Sequence, residues 1–224
     1  MPNRAKPAMF ELHNISLKYR EQTVLKDASL TIRQGESVAL VGPSGAGKST
    51  LLKHLRSLQA TKVAWCPQHA GLVPMLSAYH NMYMGGLSRR SSLYNLANLL
   101  RPFAGPKTEI QVLAESVELR DELHRRVDEL SGGQQQRVAI GRALYQQQTI
   151  FIGDEPVSAV DAIQADKMLS LICQRHQTIV LALHDTQQAL RVCQRIIGLK
   201  DGRIAFDLPS AQVTAEQLAA LYQA

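Results

Sequence analysis

No apolar run in this 224-residue chain approaches the length of a membrane span. The longest, such as Ile150–Ile152 and Ile179–Leu183, have the length of strands. Residues 1–6 carry two charges and no apolar stretch follows, so no signal peptide is read there. The chain is therefore expected to be soluble and cytosolic, with any membrane contact peripheral. Cysteine is scarce: Cys66, Cys173 and Cys193 are odd in number, widely spaced and without a C-x-x-C pair. That argues against a disulfide framework or a thiolate metal site and leaves small buried or partly buried thiols. Long basic runs are missing too. The formal charge of +6, from 25 Lys and Arg against 19 Asp and Glu, is mild, and no nucleic acid is expected as a partner. A surface that receives nucleotide, or one near anionic lipid heads, stays equally open. No internal repeat or low-complexity segment is present. With 45% hydrophobic and 20% charged residues, the composition suits one globular domain or a core with one compact insertion.

What the chain does have is two loops of anion-binding type, far apart. Residues 42–50 read Gly-Pro-Ser-Gly-Ala-Gly-Lys-Ser-Thr, a full match to G-x-x-x-x-G-K-[ST]. Gly42, Gly45 and Gly47, with Ser44 and Ala46 between them, let successive N–H groups turn inward onto phosphate oxygens. Lys48 adds a point charge for the β- and γ-phosphates, Ser49 offers a hydroxyl to Mg²⁺, and Thr50 closes the motif. The context fits. Ser37–Val41 is a short apolar strand running into the loop, and Ser49–Leu58 repeats Leu51, Leu52, Leu55 and Leu58 at helix period. This loop reads as a site for ATP or GTP.

The second loop, residues 130–134, reads Leu-Ser-Gly-Gly-Gln ahead of a helix over Ser131–Ala143. Ser131 and Gln134 have capping-box spacing, and a helix start opened by Gly132 and Gly133 can face an anion. Between the loop's helix and the C-terminus, Ile150–Gly153 is an apolar strand that ends in Asp154 and Glu155. Asp154 is thereby placed at the carboxyl edge of a sheet, where Mg²⁺ beside a P-loop takes direct or indirect support. Glu155 is placed to polarise an attacking water as general base. Taken alone, the pair also reads as two solvated carboxylates at a strand end.

The remaining pattern alternates. Phe10–Leu17 and Leu25–Ile32 read as edge strands around a turn at Arg20–Gln22, and Lys62–Cys66 as a short strand ending at Pro67-Gln68. From His69 to Val127 the texture is helical, with helix-period stretches over Ser91–Leu100 and Lys107–Leu119. Strands follow over Thr149–Gly153, Thr178–Leu183, Arg195–Leu199 and Ile204–Phe206, and helices over Ile163–Gln174, Thr186–Cys193 and Thr214–Tyr222. The last helix opens on a capping box of Thr214 and Gln217. Strands alternating with helices predict an α/β parallel sheet.

The order P-loop, Gln68, Leu-Ser-Gly-Gly-Gln, Asp154-Glu155, Ser158-Ala159-Val160-Asp161 and His184 resembles the nucleotide-binding subunit of ABC transporters, over essentially the whole chain. The resemblance implies a single domain over 1–224. Its RecA-like P-loop core (1–69 and 144–224) would carry a reduced antiparallel β edge and a helical insertion over about 70–143. It also implies a homodimer closed head-to-tail, with each ATP held between the P-loop of one subunit and the Ser-Gly-Gly of the other. Tyr19 looks like the aromatic that stacks on adenine, and Gln68 like the residue that senses Mg²⁺ and the membrane subunit. Ser131, Gly132 and Gly133, with Gln134 completing their loop, look like the γ-phosphate contacts in trans. Asp161 looks like the residue that crosses the dimer, and His184 like the switch on the γ-phosphate. By the same resemblance Glu155, His184 and Gln68 form the catalytic set, and Ser49, Gln68 and Asp154 surround the metal. The implied partners are transmembrane permease subunits and, through them, a periplasmic or lipoprotein solute-binding protein. The implied location is the cytoplasmic face of the cell membrane.

Shorter stretches narrow this. Gln134–Ile140, Gly71–Pro74, His80-Asn81 with Met84-Gly85, Arg195–Leu199 and Gly202–Asp207 are similar to the phosphonate-importer ATPases. Importers of other small solutes share several of them. A non-transport ABC ATPase or a subunit of a soluble phosphonate-metabolism complex is the competing reading. The segment from Lys48 to Gln68 is shorter than the family usually has, so the helix after the P-loop must return almost directly to its strand and the sheet should be smaller. Gly141 and Gly153 stand where alanine is common, Gly141 at a cost of up to about 1 kcal/mol in helix propensity. Leu72–Leu76 and Tyr79–Met84, with Met75, Met82 and Met84, are the candidate lining for a helix of the membrane subunit; they serve equally as core of the insertion.

Overall fold

The computed structural model describes residues 6–223, so the start on which the absence of a leader was read lies outside the described residues, apart from Lys6. In chain order the strands are β1 (Ala8–Tyr19), β2 (Gln22–Arg33), β3 (Ser37–Val41), β4 (Val63–Cys66), β5 (Ile150–Asp154), β6 (Thr178–Ala182), β7 (Arg195–Lys200) and β8 (Arg203–Pro209). The helices are α1 (Lys48–Leu58), α2 (Ala78–Tyr83), α3 (Ser92–Leu100), α4 (Ala104–Ser116), α5 (Gly132–Leu144), α6 (Ala162–Arg175), α7 (Thr186–Val192) and α8 (Ala215–Tyr222). The chain forms two units. One comprises the chain up to Trp65, Thr149–Glu155 and the chain from His176 on; the other comprises Cys66–Gln148 and Pro156–Arg175.

In the first unit, β3, β5 and β6 are continuous apolar runs because they are covered on both faces. They sit centrally in a six-stranded sheet of order β4-β5-β6-β3-β7-β8. β3 runs parallel to β6 and β7, β5 parallel to β6, and β8 antiparallel to β7. The parallel core therefore ends with β3, β5 and β6 pointing their carboxyl termini to one edge. β1 and β2 form a separate antiparallel pair. Their inward residues, Phe10, Leu12, Leu25, Ala28, Leu30 and Ile32, join Leu51, Leu52 and Leu55 of α1 in the same core. Asn14 and Asp27 take left-handed φ of 48° and 49° where the pairing register slips. Each of their N–H groups is met by a serine across the pair, Ser29 and Ser16. As expected from the short segment, α1 returns to β4 through only a brief turn after Gln59.

The second unit is helical. α2 and the 3-10 turn that follows it, Met84–Arg89, pack on α5 at very close range, and glycines allow it: a Cβ on Gly85, in that turn, would lie 2.0 Å from the Arg142 carbonyl oxygen. A Cβ on Gly141 would lie 3.0 Å from the Met82 sulfur. Gly141 is thus a packing residue, and not merely a weak spot in a helix. Burial selects, residue by residue, between the two readings open for the apolar residues of 72–84. Tyr79, Met82 and Tyr83 are buried and serve as core of this unit, whereas Met75 is exposed. α4 begins at Ala104 instead of Lys107, because Pro106 falls in its first turn, where no N–H is needed. None of the three cysteines is in a disulfide; Cys66 and Cys193 are buried and Cys173 is half-buried. Among the described residues no helix is long and apolar enough to cross a membrane.

Candidate functional site

The P-loop leaves β3 at the carboxyl edge of the sheet. Gly42 (φ 143°) passes so near β7 that a Cβ would sit 2.1 Å from the Leu199 carbonyl oxygen. Gly47 (φ 101°) caps α1 in a left-handed conformation, a geometry that favours glycine. α1 carries no acidic residue in its first turn and no side-chain cap, so its N–H groups and dipole remain available to an anion. Ser44 and Gly45 are exposed at the loop's crest, Ala46 is buried, and Ser49 and Thr50 are half-buried in the first turn of α1. Lys48 is 5% exposed, and its Nζ donates to the carbonyls of Gly42 (2.7 Å) and Pro43 (2.9 Å). Burial pushes its pKa below the ordinary 10.5, while the charges of Glu155 and Asp154 pull the other way.

Register brings the acidic residues alongside. β5 pairs Asp154 with Ala182 of β6, and the Glu155 N–H donates to the Ala182 carbonyl at 3.1 Å. Just past the ends of the two strands, two side chains then meet. His184 Nε2 lies 2.6 Å from Glu155 Oε1, with the histidine half exposed and Glu155 nearly buried. His184 is therefore not the satisfied core histidine that a lone His at the end of an apolar strand suggests. Asp154 is 3% exposed, and its Oδ1 has no hydrogen-bond partner. A buried carboxylate oxygen left in that state is costly. A cation or its bound water is the chemistry that satisfies it, and the Ser49 hydroxyl on the P-loop helix is a hard oxygen donor of the same kind. These residues fit Mg²⁺.

Tyr19, at the end of β1, is 54% exposed, with Lys53 Nζ and the Arg20 guanidinium 5.9 and 5.6 Å from its ring. An open aromatic face beside cations suits a flat, electron-rich base attached to phosphates. A cleft of about 330 Å³ borders the P-loop, walled by Gln22–Val24, Lys26, residues 43–46 and Asp201-Gly202. Sequence reasoning missed Lys26 and the β7–β8 turn as parts of this wall. The only signal was the turn motif Lys200–Arg203.

The second unit holds the other group. Ser131 caps α5 in a full capping box: its hydroxyl accepts from Gln134 N, and Gln134 Oε1 accepts from Ser131 N. Space around Gly132 is open, whereas Gly133 passes close to the Ala159 carbonyl. Gln136 donates to the Ser158 hydroxyl and accepts from Ala159 N, so α5 holds that loop. Asp161 is exposed and accepts from Gln164 N at the start of α6. Gln68 is exposed and lines a cavity of about 610 Å³ with Gly132, Gln135, Gln136 and Ser158. The site residues thus assemble in two groups. Tyr19, the P-loop, Asp154, Glu155 and His184 are in the first unit; Gln68, Ser131–Gln134 and Asp161 are in the second.

A model of the ABC transporter family matches residues 25–158. This chain is an ABC transporter ATP-binding protein. Over 97% of its length the cassette is 38% identical to the phosphonates import ATP-binding protein PhnC of Pseudomonas putida, 91% of which is covered. It is 35% identical to the phosphite import ATP-binding protein PxtA of Stutzerimonas stutzeri, with 99% of the cassette and 90% of that protein covered. Among solved structures, the dimeric bacterial ABC transporter cassette MJ0796 superposes with a TM-score of 0.76 at 27% identity, covering 89% of this chain and 98% of its own. A dimer of MJ0796 in a post-hydrolysis state bound to ADP and Pi gives 0.72 at 28% identity, with the same coverage. The mixed α/β cassette fold expected from the sequence, with its antiparallel pair and helical region, is the fold observed.

Proposed function

We propose that this cassette is the ATP-hydrolysing subunit of an importer for phosphonate or a related phosphorus oxyanion. The observation that carries the hydrolytic part is the contact between Glu155 and His184 at the carboxyl edge of the sheet that also presents the P-loop. Gly42, Ser44–Gly47 and Thr50 wrap the phosphates, Lys48 neutralises the β- and γ-phosphates, and Tyr19 stacks on adenine. Glu155 takes the proton of the attacking water. His184 orients that carboxylate and touches the γ-phosphate. Ser49, Asp154 and Gln68 would hold Mg²⁺, which would neutralise phosphate charge when bound. Ser131, Gly132, Gly133 and Gln134 of a second copy close over the γ-phosphate head-to-tail, with Asp161 beside the crossing.

Closure of that homodimer drives transmembrane permease subunits at the cytoplasmic face of the membrane, and a solute-binding protein supplies them. The helical insertion of about residues 70–143 receives the permease. The phosphorus oxyanion is supported by the similarity to phosphonate and phosphite importers at 38% and 35% identity.

The test is ATP turnover by the cassette reconstituted with its permease and binding protein, with and without phosphonate, phosphite and phosphate. Stimulation by phosphonate or phosphite that Glu155→Gln abolishes supports the reading. Turnover indifferent to every phosphorus oxyanion discards the substrate and leaves the ATPase.

A further inference from the structure

Helix α3 is built with its polar side inward. Its one buried residue is Asn98, whose side-chain oxygen accepts from Phe103 N at 2.8 Å. Asn95 is half-buried; it accepts from the Tyr83 hydroxyl and donates to the Leu87 and Arg90 carbonyls. The leucines point the other way, Leu93, Leu96 and Leu100 being 78%, 57% and 81% exposed. Their spacing aligns them in one stripe on the helix. Leu87 before the helix and Phe103 after it are also exposed. A surface helix ordinarily shows the opposite arrangement, and a contiguous apolar patch of this kind marks a contact surface.

Charge selects the occupant. Arg89 and Arg90 precede the helix, Arg101 and Lys107 follow it, and no Asp or Glu occurs between Glu36 and Glu109. Glu109, the acid that faces this region from α4, is engaged by Arg89 (3.6 Å), Arg90 (3.9 Å) and the Tyr145 hydroxyl (2.8 Å). Arg101 and Lys107 therefore follow the leucine stripe in a stretch free of acids from residue 37 to 108, and the next acid, Glu109, is already engaged.

We propose that the outer face of α3 is a membrane-surface contact. Leu93, Leu96 and Leu100 enter the headgroup boundary of an anionic bilayer, and Arg101 and Lys107 meet its phosphates. Leucines on one face with cations at the rim are the chemistry of an interfacial helix. The leucines supply burial and the cations supply selectivity for anionic lipid. This goes beyond the ATPase reading and does not depend on it.

The test is flotation of the purified full chain with vesicles of phosphatidylcholine alone and of equimolar phosphatidylcholine and phosphatidylglycerol. The expected result is binding to the mixed vesicles only, weakened by salt. The triple variant Leu93→Gln, Leu96→Gln, Leu100→Gln should lose binding while keeping the wild-type melting profile. Should that variant misfold, Arg101→Ala with Lys107→Ala reads the same face, with partitioning reduced roughly tenfold or more. No flotation, equal binding to neutral vesicles, or binding unchanged in the variants overturns the proposal. So does self-association abolished by the leucine substitutions, which would give the face to a second copy. Stable cover by a permease with no lipid binding would likewise give it to protein.

Discussion

His184 Nε2 lies 2.6 Å from Glu155 Oε1, and the two residues follow neighbouring strands whose register pairs Asp154 with Ala182. Sheet hydrogen bonds, more than loop chemistry, set their approach. Glu155→Gln keeps the size of the side chain and removes the base. Turnover should fall by about 10²–10⁴-fold, the usual contribution of a positioned general base, with ATP binding retained and a closed dimer trapped. Single-turnover hydrolysis beside nucleotide binding and light scattering checks this; a monomeric variant with wild-type turnover contradicts it.

Lys48 gives a pH signature. Burial holds its folded pKa below 10.5, so between the folded value and 10.5 the unfolded chain binds more protons. This group's contribution to stability therefore rises as pH climbs through that alkaline window. ATP binding should run the opposite way, because phosphate favours the charged ammonium. Affinity should fall through the same window with proton uptake on binding, and Lys48→Met should lose the effect. Calorimetry in buffers of different ionisation enthalpy measures the uptake.

Two glycines in the helical unit should respond differently to alanine. Gly85→Ala drives a Cβ into the Arg142 carbonyl and should cost about 1–3 kcal/mol or more. Gly141→Ala gains up to about 1 kcal/mol of helix propensity but crowds Met82, a flexible side chain, and should come out near neutral. Urea denaturation of both variants separates them; equal losses would contradict the packing described for α2 and its following turn on α5.

Substitution can part the capping of α5 by Ser131, which is observed, from the trans phosphate contact, which is proposed. Glycine is a tolerable N-cap, so Ser131→Gly should cost only a few tenths of a kcal/mol in stability. If its hydroxyl also meets the γ-phosphate of the opposing subunit, turnover should drop about tenfold, the loss of one hydrogen bond to a charged group. Unchanged turnover in the dimer would leave Ser131 as a cap alone.

Local chemistry was legible in the sequence and burial direction was not. The strand–loop–helix around Lys48 and the capping boxes at Ser131–Gln134 and Thr214–Gln217 depend on neighbours in sequence, and all three are present. The periodicity of Leu93, Leu96 and Leu100 identified a helix, but a period carries no sign, and tertiary packing turned those leucines outward. Met75 and Met82 looked alike in the sequence, yet one is exposed and the other fills the space opposite Gly141. The Glu155–His184 contact was out of reach because it needs the order of strands.

The Lys48 ammonium already has two partners in its own loop, the carbonyls of Gly42 and Pro43. On the proposed function, departing phosphate would leave behind a satisfied lysine instead of a bare charge in a buried place. On that same reading, the residue that grips the cargo is also the one that fastens the cradle to itself.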